Sequence, residues 1–219
     1  MSLVFLSILL ASGILLSLGV LLIRVYYHEV KSLKIHLTKI LKASWDLIMG
    51  TAYLSIPPVL IYLLLWILLG IFLLLREIPG VGDFFGIILS FGPFILILGS
   101  LILVIFNWLL LFFVAPAVAL SSLDRTHLAK NVFARLKKNI FSNLIFFFMG
   151  CIPILITVAF LSLAAVLTNF SYLVTKHPLS IGLQWFFIML PFCAFLTPAV
   201  VFFFNFAAEA YNILVKKES

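Results

Sequence analysis

The sequence predicts an all-α, polytopic integral membrane protein with about five transmembrane helices and two amphipathic interfacial helices. Three observations carry this. The 219 residues are 65% hydrophobic and only 10% charged, with a mean hydropathy of +1.34, whereas soluble domains carry roughly 25% charged residues. Apolar runs of bilayer length recur along the chain. The 14 Lys and Arg residues gather almost entirely between those runs. A pI near 9.6 and a net charge of +7 would suit nucleic acid, but such a ligand needs a soluble basic face, and this composition leaves none.

The first span is expected from Leu3 to Ile23, stopped by Arg24. It has no basic stretch before it, exceeds a signal-peptide core in length and lacks a small-residue cleavage site, so it reads as retained. The second span is expected from about Trp45 to Leu75, followed by Arg76-Glu77 and a Pro-Gly turn over Ile78–Asp83. The third apolar run, Phe84 to Leu120, holds 37 residues. As one helix it would be about 55 Å long, against a hydrocarbon core of about 30 Å. Gly92-Pro93 offers a break, so Phe84–Phe91 is expected at the outer interface and the span from about Pro93 to Val114. A fourth span is expected from Leu144 to Leu167 and a fifth from Ile181 to about Tyr211.

Five spans put Arg24, Lys31, Lys34, Lys39 and Lys42 on one side, with Arg125, Lys130, Arg135, Lys137, Lys138, Lys216 and Lys217. Only Arg76 and Lys176 fall on the other. Twelve against two places the amino terminus outside and the carboxy terminus in the cytoplasm of an inner membrane.

Both polar stretches between spans read as amphipathic helices. On a helical wheel Val30, Leu33, Leu37, Ile40 and Leu41 share an arc opposite Lys31, Lys34, Lys39 and Lys42. In the second stretch Leu128, Val132, Phe133, Leu136 and Ile140 form the apolar face, away from Lys130, Lys137 and Lys138, with Arg135 in the same basic segment. Such helices lie among anionic lipid headgroups or dock a partner, either another membrane protein or a second copy. An internal tandem repeat is also suggested. Lys39, Lys42 and Ile56-Pro57 match Arg135, Lys138 and Ile152-Pro153 at an offset of 96, and Phe106-Asn107 matches Phe204-Asn205 at 98. The halves would be 24–120 and 121–219 of a single membrane domain.

Ile78-Pro-Gly-Val-Gly82 between two spans, Ala115-Pro-Ala-Val-Ala-Leu120 at the inner end of a span, and the basic segment after it make a pattern over Lys39–Asn143. It resembles bacterial multi-pass membrane proteins that include the membrane domain attached to some glycerophosphodiester phosphodiesterases. The resemblance implies architecture and transfers no catalytic residue.

Polar groups within the spans are few, and each is costly in hydrocarbon. Asn107, Asn205 and Glu209 form the candidate polar intramembrane face, Glu209 following Asn205 by one helical turn. The amides read as interhelical packing groups or as substrate contacts. Pro57, Pro58, Pro93, Pro153, Pro191 and Pro198 are the candidate helix breaks, which in paired halves can mark a transport site. No zincin, nucleophile-elbow or phosphate-loop motif occurs. His28, His36, His127 and His177 lack partners at ligand spacing, and Cys151 and Cys193 sit in apolar runs without a CxxC. No cofactor or metal is expected. Asn169-Phe170-Ser171 matches a glycosylation triplet and is read as chance. The expected function is a non-catalytic scaffold, assembly or regulatory component. The alternative is a small solute or lipid carrier or channel subunit.

Overall fold

The computed structural model describes residues 2–33, 37–78, 86, 91–120, 140–167 and 178–216. Among the described residues the chain is all-helical: α1 Ser2–Val30, α2 Leu37–Arg76, α3 Gly92–Leu120, α4 Ile140–Leu167 and α5 Pro178–Lys216. Each contains a stretch of 20 to 29 residues long and apolar enough to cross a bilayer, so the chain is compatible with a multi-pass membrane protein. It divides into two compact units, Met1–Ala115 and Pro116–Ser219, described in turn.

In the first unit α1 runs seven residues past Ile23, through Arg24, before it stops. The stop is a Schellman motif. The N–H of Leu33 donates to the carbonyl of His28 at 2.9 Å, and that of Ser32 to Glu29 at 2.9 Å. Ser32 takes the left-handed conformation, φ 53°, that this motif requires. The single amphipathic helix expected through Val30–Lys42 is therefore corrected. Val30 ends α1, Lys31–Leu33 form the turn, and α2 begins at Leu37. The second basic segment, with Lys130, Arg135, Lys137 and Lys138, lies outside the described residues, as do Lys34 and most of Phe84–Phe91.

The prolines do not interrupt their helices as expected. Pro57 and Pro58 lie within α2, Pro153 within α4, and Pro191 and Pro198 within α5, each helix continuing on both sides. A spanning helix tolerates this because proline's lost N–H is one bond among many, and a freed carbonyl can take a donor from outside the helix, ordered water included. Pro93 differs. The N–H of Ile95 makes the first α-helical bond, to Phe91 at 2.9 Å, so Pro93 sits in the first turn, where backbone N–H groups lack helical partners in any case. It starts α3, and α3 runs on through Pro116 to Leu120, beyond the expected Val114.

The core of the first unit joins three helices. Leu9 of α1, Tyr62 of α2 and Leu103 of α3 pack together, flanked by Phe5, Leu6, Val59 and Val104. The buried face of α1 follows helical spacing through Leu9, Ser12, Leu16, Val20 and Ile23, while Leu10, Ile14 and Leu18 point outward. On α3 the buried row is Leu96, Ser100, Leu103, Asn107 and Leu111. Gly99 stands against Leu65 of α2, whose Cδ1 would lie 3.4 Å from an added Cβ. Small residues admit close approach where lipid and protein are equally apolar.

In the second unit α4 buries Asn143, Phe147, Gly150, Cys151 and Ile154 along one face. On α5 the buried residues are Ala199, Phe203, Phe204, Ala207, Ala208 and Ala210. The rings of Phe146 on α4 and Phe206 on α5 approach to 6.3 Å, and Phe206 stacks on Phe202 at 5.7 Å. Cys151 and Cys193 are free thiols, the first buried and the second exposed.

Candidate functional site

Buried hydroxyls in the first unit are satisfied by their own helices. Ser12 Oγ donates to the carbonyl of Leu9 at 2.6 Å, Ser17 to Gly13 at 3.2 Å, and Ser100 to Leu96 at 2.7 Å. In the second unit Thr157 donates to Pro153 at 2.8 Å and Thr197 to Cys193 at 2.7 Å. Each bond turns a polar side chain into an effectively apolar element of the helix surface.

Asn107 is different. Its side chain is 1% exposed, and neither Nδ2 nor Oδ1 has a hydrogen-bond partner. The burial follows from its place in the Leu96–Leu111 row, one turn beyond Leu103. Asn205, in the second unit, is half-buried, and its Oδ1 is likewise buried without a partner. Glu209 lies one turn further along α5 and is exposed. Asn205 and Glu209 therefore share a helix, as the spacing requires, but not a common degree of burial. Asn107 belongs to the first unit and the other two to the second. The repeat-equivalent neighbours also differ, Phe106 being 46% exposed and Phe204 1%.

Most of the described basic residues stand toward the end of α1 and at the start of α2, while Arg76 ends α2 and Lys216 ends α5. Lys31 is exposed, with Nζ 4.3 Å from the ring centroid of Tyr27, a cation–π contact. The ring of His28 engages the Arg24 carbonyl through Nδ1 at 2.7 Å, fixing the imidazole against the helix. Lys42 is exposed on the first turns of α2, while Lys39 lies in the same helix. Tyrosine rings beside cations are the residue types that settle at a membrane–water boundary.

Sequence reasoning singled out Asn107 but not the buried Ser100 on the same face, nor Asn143, which is 3% exposed on α4. Their signal was helical spacing: Ser100 precedes Asn107 by two turns, and Asn143 precedes Phe147 by one. No group of three or more His, Cys, Asp or Glu that could hold a metal occurs among the described residues. No family model matches the chain, and no curated protein or solved structure is significantly similar to it.

Proposed function

We propose that this chain is a non-catalytic, multi-pass component of a cytoplasmic (inner) membrane that scaffolds, assembles with or regulates partners. The observation that carries the reading is how the few polar groups of the spans are disposed. Their hydroxyls bond back to their own helices, and large apolar side chains cover the outside of every span. Such surfaces suit lipid and neighbouring transmembrane helices. Twelve cations on one side in the five-span arrangement orient the amino terminus outside and the carboxy terminus in the cytoplasm. There Lys31 and Lys42, with the other cytoplasmic cations, engage anionic headgroups or a partner's acidic surface.

The test is crosslinking and affinity capture from native membranes, comparing the unaltered chain with one in which Lys31, Lys34, Lys137 and Lys138 are all replaced by Gln. Loss of a captured protein or of co-purifying anionic lipid supports the proposal. Unchanged association refutes docking through these cations. The unpartnered amide atoms of Asn107 and Asn205 favour a second reading, a small solute or lipid carrier or channel subunit. That reading requires Glu209→Gln to abolish flux in proteoliposomes.

A further inference from the structure

Asn107 is the middle residue of the apolar stretch Phe94–Leu120. In a bilayer crossed by that stretch its amide lies near mid-depth, where neither headgroups nor bulk water can reach it from outside. With both polar atoms unpartnered and the side chain 1% exposed, the group faces a heavy desolvation penalty unless something bonds to it.

Two contacts set the register of α3 against α2. Gly99 faces Leu65, and Leu103 packs with Tyr62. Numbers rise on one helix as they fall on the other, so the pair is antiparallel, and one turn beyond Leu103 brings Asn107 level with Pro58. Pro57 and Pro58 carry no N–H. The carbonyls of Tyr53 and Leu54, four residues earlier in α2, therefore lose the donors that a regular helix would supply. Pro58 is buried and Pro57 exposed, so of the two carbonyls that of Leu54 lies on the inward face of α2, in the layer of an amide with free donors and a free acceptor. The flanking turns are apolar: Leu103, which packs with Val59 and Val104, precedes Asn107 by one turn, and the buried Leu111 follows it by one.

The chemistry that completes such a layer is small, neutral, and both donor and acceptor. The hydroxyls of Ser12, Ser17 and Ser100 already donate within their own helices, which leaves their protons committed. We propose that Asn107 anchors an internal water molecule between α3 and the proline turn of α2. Two to four polar partners hold a buried water, and the Asn107 amide with the Leu54 carbonyl supplies that number. This inference does not rest on the scaffold reading.

The experiment is radiolytic hydroxyl labelling of the full chain in lipid nanodiscs, read by mass spectrometry, because a water bound inside the protein generates radicals where bulk solvent cannot. Tyr62 and Phe147 are aromatic residues of similar burial, 3% and 5% exposed; only the first lies one turn from the proposed water. Several-fold stronger labelling of Tyr62 than of Phe147, lost in Asn107→Leu, is the expected result. Asn107→Leu is also expected to lower Tm by a few degrees, since it removes the bridge. Equal labelling of the two rings in the unaltered chain would overturn the proposal, and this comparison needs no variant to fold. A raised Tm for Asn107→Leu would overturn it too, showing an orphan amide relieved by an apolar side chain.

Discussion

Ser32 decides where the first helix ends. Its φ of 53° costs an L-residue with a Cβ roughly 1–2 kcal/mol, a penalty glycine avoids. Ser32→Gly is expected to stabilise the chain by about 1 kcal/mol, and Ser32→Val to destabilise it by at least as much. Reversible unfolding in detergent micelles measures both. The turn was not legible in the sequence because serine carries no left-handed signature. A wheel drawn through Lys31-Ser32-Leu33 therefore produced an amphipathic face that the backbone divides between two helices. Glycines show the converse on α2 and α3. Nothing lies within 4 Å of a Cβ added at Gly70, whereas at Gly99 the Leu65 methyls lie at 3.4 and 4.0 Å. Gly70→Ala should gain up to about 1 kcal/mol from helix propensity. Gly99→Leu should lose about 1–3 kcal/mol by forcing α2 and α3 apart.

At the scale of the element, the existence of five spans was legible because length and apolarity suffice for it. Which face of each span packs inward was not. Around α1 and α3 both the buried and the exposed sides are apolar, Leu9 and Leu16 inside against Leu10 and Ile14 outside, so amphipathic patterning has nothing to report. The distinction rests instead on small residues and on packing density, because lipid is as apolar as leucine. Leu9→Ala, at a fully buried position touching α2 and α3, is expected to cost about 2–5 kcal/mol through the cavity it leaves. Ile14→Ala, 63% exposed, should cost little. Equal losses at the two positions, read by thermal unfolding in the same detergent, would contradict the packing described for α1. The prolines teach a related lesson. Pro93 was expected to open the third span and lies at the start of α3, whereas Pro57, Pro58, Pro153, Pro191 and Pro198, expected to break their spans, lie inside continuous helices. The deciding factor is whether the first helical bond forms before or after the proline, and for the prolines within spans the sequence does not report it. Of the candidate site, Asn107 was found by its polarity within an apolar run, while its complete burial awaited the packing of α3.

For the whole molecule, the governing idea is that insertion leaves Lys and Arg on the side from which the chain enters. An odd number of spans then separates the chain ends. The most direct test places single cysteines at Ser2 and Lys217 in a chain carrying Cys151→Ala and Cys193→Ala, and treats intact cells with a membrane-impermeant thiol reagent. Labelling of the Ser2→Cys chain in intact cells, with the Lys217→Cys chain labelled only after permeabilisation, is the predicted result. Labelling of both from the same compartment would contradict five spans and the orientation together.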